Sequence, residues 1–258
     1  KFGVDRRTTL VYEHEVAQEP EIEEIEDYPV TLFVSQEGYF KKITPQSLRM
    51  SAEQKFKEGD SLAACFEASN RSELLVFTDR CQVYKAKCSE FEDAKASVLG
   101  DYLPVKLGME EGETVVGVCL PASYQGAILF VYENGKAAKV EMAAYDTKSN
   151  RRKLTGAYSD KSPLKALIAL PQEQQVAVYS TEGRALIFST AQLTAKATRS
   201  AQGVAVMTLK KKYVVQRAVL AEQSGIVNIA RYRTRTLPAA GALLKEEDAE
   251  QKQIAMDI

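Results

Sequence analysis

One hairpin, written four times, constrains this chain more than any other feature. The copies are VTLFVSQEGYFKKI (30–43), ELLVFTDRCQVYKA (73–86), AILFVYENGKAAKV (127–140) and QVAVYSTEGRALIF (175–188). Each is a β-branched and aromatic run, a short polar turn and a second alternating run, which is the pattern of a β-hairpin. Gly38, Gly135 and Gly183 fall in one turn column, where a positive φ costs glycine nothing. Cys81 fills that column in the second copy, which predicts a different turn there. A second element repeats with the hairpins. Glu58-Gly59-Asp60-Ser61-Leu62 and Glu111-Gly112-Glu113-Thr114-Val115 each lead into an apolar strand and then into the next hairpin.

The copies begin 43, 54 and 48 residues apart, the period of propeller blades. A four-stranded blade cannot bury both faces alone, so the units must stack around an axis. Val204 to Leu220 closes the fourth unit. Gly225, 42 residues after Gly183, and the run Ile226–Tyr232 read as a degenerate fifth. The expected fold is therefore all-β, a β-propeller of tandem four-stranded blades, four clear and a fifth degenerate. The best helical stretch, Leu243 to Gln253, has little apolar face and is expected to fray.

The net charge of −1 hides an uneven distribution. Glu13 to Asp27 holds eight acidic residues and no lysine or arginine, and Glu246 to Ile258 holds five acids and one lysine. Residues 28–244 carry 29 lysines and arginines against 21 aspartates and glutamates, a surplus of eight. A basic body between acidic ends suits a polyanionic partner. The division that follows is an opening stretch and acidic linker (1–27), a β-domain (28–245) and an acidic tail (246–258).

Several chemistries are poorly served. His14 is the only histidine, so a catalytic triad or a histidine-based metal site lacks its parts. The turn glycines are isolated, unlike a phosphate-cradling loop. Cys65, Cys81, Cys88 and Cys119 match no zinc or redox spacing and read mostly as small core residues of a reducing, cytoplasmic protein. No apolar run approaches the roughly 20 residues of a membrane span, so no membrane partner is expected. The first residue is a lysine, and the chain is expected to be part of something longer.

The basic residues are the candidate site. Lys42, Lys85 and Lys139 share one column, four residues past the turn position, and are expected to line one edge of the disc as a track for phosphates. The alternative is an edge lysine that discourages strand pairing between molecules. Ile187 breaks the column in the fourth copy. Arg151-Arg152-Lys153, Lys210-Lys211-Lys212 and the alternating Arg231, Arg233 and Arg235 are the densest clusters. Alternate strand positions share a face, so the last group is expected to form a basic stripe. Lys41, Lys87, Arg184, Lys196 and Arg199 complete the set. Tyr39, Tyr84, Tyr179 and Tyr232, in strand-like runs, are read as blade packing.

Lys1-Phe2-Gly3-Val4-Asp5-Arg6-Arg7-Thr8, the acidic linker and the tandem hairpins come in an order that resembles bacterial type IIA topoisomerase A subunits, those of gyrase and topoisomerase IV. There a similar stretch ends the breakage-reunion core, just before a C-terminal domain. Glu37-Gly38-Tyr39-Phe40-Lys41-Lys42-Ile43 is similar to the family's first blade, and Lys196-Ala197-Thr198-Arg199-Ser200-Ala201-Gln202-Gly203-Val204 to its basic inter-strand loops. The resemblance implies a β-pinwheel whose outer rim binds and bends duplex DNA. Its implied partners are the breakage-reunion core of the same chain and an ATPase B-type subunit. It also implies that cleavage, isomerase activity, ATP and magnesium belong to other parts of the parent enzyme, with no cofactor and no catalysis in this stretch. The rival readings are a propeller serving as a protein-interaction platform without DNA binding, and a propeller enzyme with a central-channel site. Gyrase A subunits carry a Gln-Arg-Arg-Gly-Gly-Lys-Gly box in the first blade. The corresponding loop here, Pro45 to Gly59, has three basic residues and no double glycine, which implies a topoisomerase IV-like or divergent gyrase-like enzyme that relaxes and decatenates better than it supercoils.

Overall fold

A computed structural model of the chain describes residues 25–51, 53–147 and 151–249. The opening stretch, most of the acidic linker with His14, and most of the acidic tail lie outside the described residues. The strands, in chain order, begin with β1 (Pro29–Ser35), β2 (Tyr39–Ile43), β3 (Leu62–Ser69), β4 (Glu73–Thr78) and β5 (Gln82–Lys87). They continue with β6 (Asp101–Tyr102), β7 (Val115–Cys119), β8 (Ala127–Tyr132), β9 (Lys136–Glu141), β10 (Lys153–Thr155) and β11 (Leu164–Leu170). The last are β12 (Gln175–Ser180), β13 (Arg184–Ser189), β14 (Val204–Ala205), β15 (Val215–Leu220) and β16 (Ala242–Leu243).

They form four antiparallel blades with strand orders β3-β1-β2-β6, β7-β4-β5-β10, β11-β8-β9-β14 and β15-β12-β13-β16, set in a ring as a four-blade propeller. In each blade the repeated hairpin supplies the two middle strands. The inner edges are β3, β7, β11 and β15, of which β11 packs beside both β7 and β15. The outer edges arrive late. The chain builds the hairpin of blade 2 before it returns as β6 to finish blade 1, and β10 and β14 finish blades 2 and 3 in the same way. In all four blades the pairing of the inner strand slips by a residue at the same place, beside Ser35, Thr78, Tyr132 and Ser180. A bulge there raises the local twist.

Side chains alternate across a strand, so consecutive residues serve different interfaces. Leu74 and Val76 join Leu32, Val34 and Phe40 of blade 1. Leu75 and Phe77 instead join Ile128, Phe130 and Val140 of blade 3. Leu129 and Val131 in turn meet Val176, Val178, Leu186 and Phe188 of blade 4. That double burial explains why the hairpins read as continuous apolar runs. Each such side chain contributes about 1.5–3 kcal/mol.

The two remaining faces have covers of their own. Phe33 and Ile43 of blade 1 lie under Ala96 and under Leu48 of a short helix, α1 (Pro45–Met50). Ala177, Tyr179, Ala185 and Ile187 of blade 4 lie under Ala221, Ile226 and Tyr232. Among the described residues no buried cluster joins blade 4 to blade 1. The expected fifth blade is therefore corrected: residues 226–232 form a cap, ending in a single helical turn (Ile229–Tyr232). An isolated glycine followed by apolar residues signals a cap as well as it signals a strand. At the expected fraying stretch, Glu246–Ala249 forms one helical turn. There Asp248 is buried and accepts hydrogen bonds from Tyr232 Oη (2.7 Å) and the amides of Val227 and Asn228 (3.1 Å each).

Two cysteine expectations also change. Cys81 makes the same turn as the glycines, with φ of 55° beside 88°, 79° and 76° at Gly38, Gly135 and Gly183. Its amide donates to Thr78 O as theirs donate to Ser35, Tyr132 and Ser180. The repeat dictates the turn, and a non-glycine residue bears roughly 1–2 kcal/mol of left-handed strain to keep it. All four cysteines are free, but only Cys88 and Cys119 are core residues; Cys65 is exposed and Cys81 half-buried. Burial pushes the Cys119 thiol up to about 12, which keeps it inert.

A substitution pair tests the strand return. Gly203 sits at a φ of 72° where the outer strand of blade 3 presses on β9, and a Cβ there would overlap the carbonyl of Ala137. Gly203→Ala should cost about 2–4 kcal/mol in urea unfolding. Cys81→Gly should stay within about 1 kcal/mol of the parent, relief of strain offsetting lost packing. A silent Gly203→Ala would contradict this placement of the outer strand.

Candidate nucleic-acid interface

The column of lysines exists, but it does not face solvent. Lys42 is 3% exposed; its ammonium donates to Asn70 Oδ1 (2.7 Å) and pairs with Asp93 (3.1 Å). Lys139 is 8% exposed, paired with Glu173 and donating to the Thr190 carbonyl (3.3 Å). Lys85 is half-buried, donates to Tyr145 O (3.3 Å) and lies 4.9 Å from the centre of the Tyr124 ring. Lys41, on the adjoining position, donates to the carbonyls of Lys55 (2.8 Å) and Ala96 (3.1 Å), and burial pulls its pKa below the usual lysine range. Lys41, Lys42 and Lys139 are thus corrected from rim residues to internal anchors. The cause is the outer strand, which lies beyond β2, β5 and β9 and makes them interior strands. At Ile187 the fourth copy replaces the anchor by an apolar contact with the blade 4 cap.

Free charge collects on the segments that run along the blade edges, ahead of β6, β14 and β16 and at the start of β10. These segments meet the column in every blade. Ala94, Lys196 and Thr234 donate their amides to the carbonyls of Lys42, Lys139 and Ile187 (2.7–2.9 Å), while Lys85 donates to Arg152 O (2.7 Å). Around those contacts sit Lys95 in blade 1, Arg151 and Arg152 in blade 2, Lys196 in blade 3, and Arg233 and Arg235 in blade 4, all exposed. All four blades therefore carry exposed cations beside the column, on a segment that runs parallel to the hairpin strand in blades 1, 3 and 4 and antiparallel in blade 2. Sequence reading missed Lys95, because the segment that closes blade 1 follows the hairpin of blade 2. A signal was available: Lys95 precedes Gly100 much as Lys196 precedes Gly203, and both glycines touch the backbone of the neighbouring strand.

The other candidates divide. Lys153 and Arg80 both pair with Glu110, at 2.7 and 2.9 Å, which holds that carboxyl at about 2. Arg152 is 3.5 Å from Glu90. Arg184 and Lys210 share Glu182. Arg199 is half-buried and donates to Ala144 O (3.1 Å). Lys87, Lys211 and Lys212 are exposed, the last two in the turn before β15. The expected arginine stripe does not form. Arg231 lies in the helical turn of the cap, Arg233 follows it and donates to Gln175 Oε1 (3.1 Å), and Arg235 is in the loop beyond. Tyr84, Tyr179 and Tyr232 are buried, and Tyr39 packs on Tyr102 with ring centres 5.1 Å apart.

No family model matches the chain. It is 25% identical over 238 residues to the A subunit of DNA topoisomerase 4 from Staphylococcus epidermidis, over 90% of this chain and 30% of that protein. It is 24% identical over 223 residues to the corresponding protein of Staphylococcus aureus, over 81% of this chain and 28% of that one. The chain thus spans less than a third of the length of these curated relatives. Among solved structures, the C-terminal domain of DNA topoisomerase IV superposes with a TM-score of 0.71 at 20% identity, covering 85% of this chain and 73% of that one. The E. coli ParC C-terminal domain gives 0.61 at 14% identity, covering 84% and 94%. The DNA gyrase A C-terminal domain gives 0.56 at 13% identity, covering 86% and 80%. The resemblance read from the sequence holds in sequence and in fold.

Anchor and rim cations should separate in their effect on stability. Lys42→Met and Lys139→Met each leave a polar partner unpaired and should cost about 1–3 kcal/mol in chemical denaturation. Lys95→Ala and Lys196→Ala should stay within about 0.5 kcal/mol of the parent. Equal costs in the two sets would remove the distinction.

Proposed function

We propose that this chain, a homologue of the C-terminal part of topoisomerase IV A subunits, is an accessory domain that binds and bends duplex DNA for an ATP-dependent type II topoisomerase. The observation that carries the reading is the recurrence of exposed cations beside the same hairpin position, on the edge segments at or ahead of the outer strand, in all four blades. A duplex laid along the rim would meet Lys95, Arg151 and Arg152, Lys196, and Arg233 and Arg235 in turn. Phosphates require only charge and reach, so contacts of this kind position DNA without reading its sequence. The longest helix among the described residues has six residues, too short to present a reading face to a major groove. Bending a site of 20–30 base pairs costs on the order of 1–6 kcal/mol, to be offset by contacts on successive blades.

In this reading the chain does no chemistry. Strand breakage belongs to a breakage-reunion core on the same polypeptide, and ATP and magnesium to that core and a B-type ATPase subunit, in the cytoplasm. The loop from Pro45 to Gly59 favours a topoisomerase IV-like enzyme over a DNA-wrapping gyrase. Leu48 packs on the end face of blade 1, the Lys55 amide donates to Ala96 O, and the Lys55 carbonyl accepts from Lys41. The loop serves as a cover held to its own blade.

Salt dependence provides the test. If about six phosphates are neutralised, log affinity for duplex DNA should fall against log salt with a slope of about −5. Replacing Lys95, Arg152, Lys196 and Arg235 by alanine together should bring that slope to about −1 to −2 and weaken binding to random and defined sequences alike. An unchanged slope would sink the rim assignment. In assays of the whole enzyme, relaxation and decatenation should exceed supercoiling; efficient negative supercoiling of relaxed plasmid would overturn the topoisomerase IV-like reading.

A further inference from the structure

The rim of blade 2 has a feature that DNA binding does not require. Where the outer strand passes the end of β5 there is a cleft of about 290 Å³, lined by the cations Lys85, Lys87, Arg151 and Arg152 and the carboxylates Glu73, Glu90 and Asp146. Two of those carboxylates are engaged: Glu73 accepts from Tyr124 Oη (2.7 Å), and Glu90 faces Arg152 (3.5 Å). Lys85 is turned toward Tyr145 O. Lys87 and Arg151 are exposed and make no ion pair among the described residues. The cleft therefore offers two uncommitted cations beside a loosely paired arginine.

The start of the described chain is held by the β3–β4 connection, which leads directly into that hairpin. Arg71 donates to the carbonyl of Ile25 through Nε (2.8 Å) and Nη2 (2.6 Å), and Asn70 Nδ2 donates to Glu26 O (2.8 Å). Two residues beyond Arg71, Glu73 stands opposite Lys87 in the β4–β5 ladder. Immediately before this tether, residues 13–24 hold six glutamates and no lysine or arginine. Twelve residues extend to about 40 Å, far more than the step from Ile25 to the cleft demands. The cleft lining carries a net charge of +1, with the exposed Asp146 as its third carboxylate. A segment tethered so near it has an effective concentration in the millimolar range. The larger cleft of blade 3, about 410 Å³, is lined mostly by apolar and neutral residues, with Lys196 and the already paired Lys139 as its cations.

We infer that residues 13–24 dock back onto the blade 2 cleft, using their carboxylates on Lys87, Arg151 and Arg152. The docked segment presents acidic groups where a duplex would present phosphates. As far as it concerns DNA, the inference rests on the function proposed above: the segment competes for one of the four rims and tunes affinity without closing the others.

The experiment has an arm without DNA. In the full chain, Glu13, Glu15, Glu19, Glu21, Glu23 and Glu24 are changed to glutamine, and a labelled synthetic peptide of residues 13–24 is titrated in at 50 mM salt. The peptide should bind, shift the amide resonances of Lys87, Arg151 and Arg152, and lose at least tenfold in affinity when Lys87→Glu and Arg151→Glu are added. It should release near 0.5 M salt, where the Debye length is about 4 Å. No binding, or binding indifferent to those two reversals, overturns the docking. In the DNA arm the six-glutamine chain should bind duplex three- to tenfold more tightly than the parent at 50 mM salt, with the gap closing as salt rises. Peptide bound in the cleft with DNA affinity unchanged upholds the docking and counts against the DNA reading of the blade 2 rim.

Discussion

A hairpin in isolation exposes an unpaired edge on either side, and every blade here solves that problem with a strand from elsewhere in the chain. The outer strand is the addition on which the rest depends. It converts β2, β5, β9 and β13 from edges into interior strands and pins each blade to the connection that leaves its successor. Its approach is close enough that Gly100, Gly203 and Gly241 meet the backbones of Phe40, Ala137 and Ala185 with no room for a Cβ. Blades assembled in this way are laced as well as stacked.

That geometry also sorts the charges. A lysine on an interior strand has nowhere to go but sideways into loop carbonyls and carboxylates, so Lys42 and Lys139 spend their charge inside the protein. A lysine or arginine on the edge segment that leads into the added strand stands at the perimeter with water on one side. Two sets of cations, a few ångströms apart in the sheet, thus have opposite tasks. The first holds loops to blades, and the second is available to a partner.

Much of this was legible in the hairpins. Their period, the turn column and the unbroken apolar runs carried the blade architecture, because each reflects a local rule: a left-handed turn residue, alternation of side chains, burial on both faces. What the sequence concealed was non-local. Nothing around Lys42 reveals that residues 93–95 will lie beside it, so a recurrent lysine looked like a surface track when it was an anchor. Lys95 went unnoticed for the same reason. Cys81 misled in the other direction, since the ladder around it imposed a turn that its own side chain disfavours. The Ile226–Tyr232 run fails as a fifth blade because a face needing cover and a strand needing partners attract the same apolar residues.

The late return of the outer strand has a consequence for synthesis on the ribosome. When Ile43 has emerged, blade 1 still lacks the strand at Asp101–Tyr102, and the whole hairpin of blade 2 must be made before it arrives. Blade 2 in turn waits for Lys153–Thr155, and blade 3 for Val204–Ala205. A growing chain therefore carries at least one unfinished blade with a bare edge, and the wait from hairpin to outer strand is 58, 66 and 63 residues in blades 1, 2 and 3. Nascent chains are vulnerable at such edges, where two copies on neighbouring ribosomes can pair with each other instead of with themselves. Translation pauses just after a hairpin would lengthen that exposure, and pauses just after an outer strand would not.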